Sequence, residues 1–267
     1  MPKLSISQAW DETRAILARD GKLISTVALA LFVLPGIILN LVTPAIRAGQ
    51  MPQPGLWLIV VVLVLLVSLA GQLSVIRLAL GPHITVRDAI VHGARRLIPY
   101  LGAVVVWLAP IFIADSILYG VMKADPAHPS VAAATGVLLI SLAGLIIAVR
   151  LMLLSSVASA EGGNSFQILR RSWELTQGNW WRLFGFLLVF GVGAIALLWA
   201  VQSVVGLVVR LAIGDLSPLS VGGLIVIIIG QLLSGALSVI LFVMLARLYA
   251  QKGGRAGTHA SVPSSGI

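Results

Sequence analysis

The stretch LWLIVVVLVLLVSLAGQLSVIRLAL, residues 56–80, decides the fold class. It holds a single charge, Arg77, in 25 residues, and a helix needs about 20 apolar residues to cross the hydrocarbon core of a bilayer. Its side chains do not alternate as those of a membrane barrel strand must, so it reads as a spanning helix. Five other runs share this character: Leu23–Ala45, Ile98–Val121, Val131–Val157, Leu183–Val209 and Leu219–Tyr249. The last has about 30 residues and is expected to tilt or extend past the bilayer. Of the 267 residues 59% are apolar, and mean hydropathy is +1.06. Charged residues make up 10%, against roughly 25% in a soluble domain. So few charges cannot cover a water-soluble globule. The expected fold is all-α and polytopic, with six transmembrane helices.

The charges that exist are ordered. Net charge is +9, and basic residues come in bursts between the runs. Lys3, Arg14, Arg19 and Lys22 precede the first run; Arg77 near the end of the second run joins Arg87, Arg95 and Arg96 around the second-to-third connection. Arg150 near the end of the fourth run joins Arg170, Arg171 and Arg182 around the fourth-to-fifth connection, and Arg247, Lys252 and Arg255 belong to the C-terminal end. The other three connections hold one each: Arg47, Lys123 and Arg210. Fifteen against three, in strict alternation, predicts both termini in the cytoplasm and an even number of spans. The first 22 residues are too polar, and the first run too long, for a cleaved signal peptide, so the N-terminus is expected to be retained. The Gly-, Ser- and Pro-rich residues 251–267 read as a disordered cytoplasmic tail after a membrane domain spanning 1–250.

Three basic segments also share a helical design. Ser5 is a plausible N-cap with Gln8 three residues on, and Thr85 with Asp88 repeats it. Ser165 repeats the cap, although Ile168 breaks the box. The three caps lie 80 residues apart. Apolar residues then follow at helical spacing: Ile6, Ala9, Trp10, Ile16 and Leu17; Val86, Ala89, Ile90, Gly93, Ala94, Leu97 and Ile98; Phe166, Leu169, Trp173 and Trp180. One apolar stripe on a basic helix predicts a helix lying in the headgroup plane. Arg77-Leu78, Arg150-Leu151 and Arg247-Leu248 close the second, fourth and sixth runs. The expectation is three repeats, about 1–80, 81–160 and 161–250, each an interfacial amphipathic helix plus two spans.

Candidate site residues follow from this map. Arg77, Arg150 and Arg247 would converge on one phosphate site if the repeats surround a common axis; otherwise they snorkel to the interface. Trp173, Trp180, Trp181 and Arg182, with Arg170 and Arg171, form an aromatic and basic cluster suited to anionic headgroups, or simply to interfacial anchoring. Arg95 and Arg96 belong to the same basic surface. Asp115 is the one acidic residue well inside a run, which makes it the candidate for a proton or cation path, with Asp125 and Pro126 marking the nearby end of its span. Gln72, Gln202, Gln231 and Asn40 either support such a path or hydrogen-bond between helices. Gly230, Ser234 and Ser238 form a small-residue stripe suited to close packing.

Catalytic patterns are missing from the sequence. There is no cysteine, and His83, His92, His128 and His259 have no metal-ligand spacing. There is no phosphate-binding glycine loop, and Gly162-Gly163 reads as a turn. No metal, cofactor or catalytic residue is expected. Topology accounts for the basic residues, so nucleic acid is not expected as a partner.

Within Ile84–Val201, the segments Ala94-Arg95-Arg96-Leu97-Ile98-Pro99 and Ala148-Val149-Arg150-Leu151 precede Arg171-Ser172-Trp173-Glu174-Leu175-Thr176-Gln177-Gly178-Asn179-Trp180-Trp181-Arg182. This combination resembles the bacterial membrane-domain family of glycerophosphoryl diester phosphodiesterase and related six-span proteins. The resemblance implies a bacterial-type inner membrane. In some relatives a catalytic barrel follows, but about 18 residues lie beyond the last run, against the ~250 such a barrel needs. The expected function is therefore non-catalytic. Anionic membrane lipid is the expected partner, bound for lipid handling or in support of a partner membrane or peripheral protein. A small transporter or channel using Asp115, and a subunit whose catalysis resides in another chain, are the alternatives. Oligomeric state is left open by the sequence.

Overall fold

A computed structural model describes residues 4–44, 55–81, 84–124, 131–161 and 163–253. Lys3, Arg47, His83, Asp125, Pro126, His128, Gly162, Arg255 and His259 lie outside the described residues. Pro35 shapes the first helix. Its ring removes the donor that would bond the Leu31 carbonyl, and the chain widens there into a π-helical stretch, Leu29–Val33, between α1 (Ile6–Ala28) and α2 (Leu34–Val42). The elements that follow are α3 (Trp57–Leu80), α4 (Val86–Ala124), α5 (Val131–Arg150), α6 (Leu154–Ala160), α7 (Ser165–Thr176), α8 (Trp180–Ala212) and α9 (Val221–Gly253). Among the described residues, six helical segments are long and apolar enough to cross a membrane. Their outward faces carry exposed Val62, Leu138, Val189 and Trp199, surfaces that only hydrocarbon solvates at low cost. The chain is an all-α, multi-pass integral membrane protein.

The core lies toward one end of the bundle. Leu73, Val75 and Ile76 of α3, Val149, Leu153 and Val157 at the α5–α6 junction, and Val243, Met244 and Leu248 of α9 are fully buried. These are the final turns of the second, fourth and sixth spans, and α3, α6 and α9 pack on one another pairwise. Small polar residues permit the close approach: the Ser159 hydroxyl donates to the Leu73 carbonyl at 3.0 Å. This end also carries the basic clusters.

One packing relation recurs three times around the core. Each basic helical segment lies on the end of an even-numbered span: α4 on α3, α7 on α6, and α1 on α9. Gly93 of α4 faces the Ser74 hydroxyl and Ala70 carbonyl so closely that a Cβ has no room. Ser165 at the start of α7 donates to the Pro99 carbonyl of α4 at 2.9 Å, beside Gly102.

Several expectations change. The first two basic helices do not stand apart from their spans: α1 continues through the π-helical stretch into α2, and α4 runs unbroken past Pro99 and Pro110. The apolar stripes are divided between protein and lipid: Ala9, Ile16, Ala89 and Gly93 are buried, while Trp10, Ile98 and Phe166 are exposed, and in the third helix the buried residue is Ile168, outside the expected stripe. The third cap is Asn164, not Ser165. Its side chain accepts from the Gln167 N–H at 3.0 Å and Gln167 returns the bond at 3.1 Å, completing the capping box. Trp180 belongs to α8, because α7 ends at Thr176 and Gly178 turns the chain at a φ of +75°, a conformation that favours glycine. The fourth span breaks at Leu151–Leu153, so Arg150 ends α5 instead of closing the span. Its carbonyl is taken up by the hydroxyls of Thr176, at 2.9 Å, and Ser172, at 3.4 Å. Finally, Gln251 and Lys252 are the last turn of α9 and not the start of a tail; residues 254–267 lie outside the described residues.

Candidate functional site

The last turns of α9 form a hub at the basic end. Arg247 Nε donates to Glu12 of α1 at 2.6 Å, and its Nη1 donates to the Ala79 carbonyl of α3 at 3.5 Å. Gln251 pairs with the Ser5 backbone in both directions at 3.0 Å. That contact supplies the half of the Ser5 cap that Gln8 leaves undone, since the Gln8 side chain donates to Glu12 instead. Lys252 Nζ donates to the Leu175 and Gln177 carbonyls at 2.6 and 3.2 Å, satisfying acceptors that the end of α7 leaves open. Tyr249 donates to Glu161 at 2.7 Å. Glu161 also accepts from Arg171 Nε at 3.0 and 3.1 Å, and that hydrogen bond raises the Arg171 pKa above the ordinary guanidinium value.

These contacts divide the basic residues into two sets. Arg170 pairs with Glu174 at 3.0 Å and Arg171 with Glu161, around a cavity of about 440 Å³ bounded also by Val157, Gly163 and Gln167. Arg247 pairs with Glu12. Their charge is largely compensated. Arg150 lies over the Trp173 ring at 5.2 Å with its buried Nη1 bonded to nothing among the described residues. Arg77 and Arg96 are half-buried, Arg95 is exposed, and none has a carboxylate partner among the described residues. Arg182 is exposed and, among the described residues, donates only to the neutral Leu4 carbonyl at 3.1 Å, so no carboxylate there compensates its charge. Leu4 is further tied to α8 by the Asn179 side chain at 3.3 Å. Arg77, Arg150 and Arg247 thus share the basic end but no common partner: Arg150 lies on Trp173 and Arg247 pairs with Glu12, while Arg77 has no carboxylate partner among the described residues.

The tryptophans are also sorted. Trp180 turns inward, stacks on Phe184 at 5.0 Å and donates to the Ile146 carbonyl at 3.3 Å. Trp181 meets Trp180 edge-on at 4.7 Å and is 77% exposed. It forms the mouth of an apolar groove of about 640 Å³ between the first turns of α1 and the first three turns of α8, which Arg182 also lines. The sequence reading missed this groove: its other wall is Ile6 and Trp10, and Phe186, Phe190 and Met244 form its floor. The one available signal was the pairing of Trp10 on the first basic helix with Trp181 on the third.

The polar residues inside the spans are scattered over separate helix contacts. Gln72 accepts from Tyr100 at 3.4 Å between α3 and α4. Gln231 of α9 seats on Gly36 of α2, and Gln202 of α8 on Gly230 of α9. Asn40 donates to the Gly36 carbonyl of its own helix at 2.9 Å, and Ser238 to the Ser234 carbonyl at 2.8 Å. Asp115 lies on the α4 stripe between Ile111 and Leu118, which pack against Gly144 and Gly136 of α5, and one of its oxygens is buried without a partner among the described residues. His92 bonds the Ser159 carbonyl at 2.8 Å. Among the described residues no cluster of His, Asp and Glu could hold a metal ion.

Fold and site together define a multi-pass helical membrane protein with a basic, tryptophan-bordered surface at one end of its bundle. Residues 4–252 match the model of a family described as a domain of unknown function, DUF7847, and the chain belongs to that family. No curated protein and no solved structure matches the chain.

Proposed function

We propose that the protein is a non-catalytic, multi-pass protein of a bacterial-type inner membrane, with both termini cytoplasmic. Its basic end engages anionic lipid, for lipid handling or to support a partner membrane or peripheral protein. The observation that carries this reading is the charge left over after internal pairing. Arg14, Arg87, Arg95 and Arg182 are exposed and have no carboxylate partner among the described residues, and all lie at the same end. Basic residues near an anionic leaflet gain about 1 kcal/mol each, and Trp181 beside Arg182 is suited to the headgroup level. In bilayers holding the reconstituted full chain, spin-labelled phosphatidylglycerol should be enriched over spin-labelled phosphatidylcholine in the motionally restricted lipid shell. Equal partitioning of the two labels would overturn the reading.

A further inference from the structure

The groove between α1 and α8 differs from ordinary lipid-facing surface in being concave, aromatic at its mouth and charged at one end only. We propose that it is a binding site for a single anionic phospholipid, one acyl chain lying in the groove and the headgroup phosphate against Arg182; this rests on the lipid-engagement reading above.

Three observations lead there. Trp181, Gly185 and Val189 are spaced four residues apart on α8, so they form one continuous wall. From Trp181 to Phe190 the helix rises about 13 Å, which matches much of one acyl chain. Gly185 keeps the groove open, since a Cβ there meets no atom within 4 Å. At the basic end Arg182 carries a charge that no acidic residue among the described residues balances, held in place by the Leu4 carbonyl at 3.1 Å. An apolar slot with a fixed cation at its headgroup end is complementary to an anionic amphiphile. A second apolar cavity, about 360 Å³ between α1 and α9, is lined by residues such as Leu17, Val33 and Val239 with no charged side chain, so it offers nothing to select a headgroup.

The test uses the full chain in nanodiscs of equal phosphatidylglycerol and phosphatidylcholine, released into the gas phase for native mass spectrometry. A phosphatidylglycerol with a photoreactive group in one acyl chain maps the contact in parallel. The unmodified chain should retain one phosphatidylglycerol after other lipids have left, with cross-links on residues 181–190 and 6–10. Gly185→Leu, which fills the groove from its open wall, should reduce that retained lipid at least fivefold while leaving the selectivity of the surrounding shell unchanged. Arg182→Gln should bring retention of the two lipids toward equality. Undiminished retention by folded Gly185→Leu would overturn the proposal, as would cross-links elsewhere in the unmodified chain. The cross-link map decides alone if Gly185→Leu does not fold. Loss of shell selectivity in the unmodified chain defeats the wider reading and is measured separately, by the spin-label experiment.

Discussion

Arg247, six residues before the end of α9, donates to Glu12 of the first helix at 2.6 Å across 235 positions of sequence. This contact joins the two ends of the membrane domain. Both side chains are about a quarter exposed, so the pair is neither a screened surface contact nor a fully desolvated one. Glu12→Gln is expected to cost about 1.5–3 kcal/mol at most, the range for a hydrogen bond to a charged group, with the partial exposure of both side chains lowering it. Thermal unfolding in detergent, followed by tryptophan fluorescence, measures it. The exchange Glu12→Arg with Arg247→Glu should recover part of the loss, which a purely steric role would not allow.

Glycines at helix contacts should separate cleanly from those facing lipid. Gly93→Ala places a methyl against the Ser74 hydroxyl and the Ala70 carbonyl and should destabilise the α3–α4 contact by about 1–3 kcal/mol. Gly191→Ala meets no atom within 4 Å and should be neutral or stabilising by up to about 1 kcal/mol. Equal effects in the same unfolding assay would contradict the packing described.

Hydrogen exchange distinguishes the two residues that compete to cap α7. Asn164→Ala should accelerate exchange at the Gln167 amide, which its side chain accepts at 3.0 Å, with a stability cost of about 1 kcal/mol. Ser165→Ala should leave that amide protected, because the Ser165 hydroxyl reaches across to the Pro99 carbonyl instead.

The cation–π contact of Arg150 with Trp173, at 5.2 Å, should be worth about 0.5–2 kcal/mol. Trp173→Ala removes it, and Trp173→Phe should retain a part. The two substitutions should therefore order the unfolding temperatures as Trp above Phe above Ala.

What the sequence disclosed follows from the range over which each signal acts. Run length reveals a span such as Trp57–Leu80, because the bilayer fixes the number of residues required. The Ser5 and Thr85 caps were legible because a cap acts over three residues. At 164 and 165 two competent caps stand side by side, and only the contact with Pro99 decides which one bonds across. The break at Leu151–Leu153 left no trace, since the hydroxyls that stabilise it, Ser172 and Thr176, lie more than 20 residues away. The Glu161–Tyr249 contact spans 88 residues and was equally silent. Sequence also could not separate balanced from unbalanced arginines: Arg170, Arg171 and Arg182 look alike as a cluster. The groove was hidden because lipid-facing and groove-lining residues on α8 are the same residue types.

That division of the arginines gives the most direct test. Shell selectivity for spin-labelled phosphatidylglycerol over phosphatidylcholine would be compared between Arg87→Gln/Arg95→Gln/Arg182→Gln and Arg170→Gln, each reconstituted as the full chain at low ionic strength, where screening is weakest. The triple substitution, which removes exposed charges with no carboxylate partner among the described residues, should lose most of the selectivity. Arg170→Gln, which removes a charge already paired with Glu174 at 3.0 Å, should retain it. Selectivity that survives the triple substitution, or that falls as far with Arg170→Gln, would contradict lipid engagement by the unpaired basic surface.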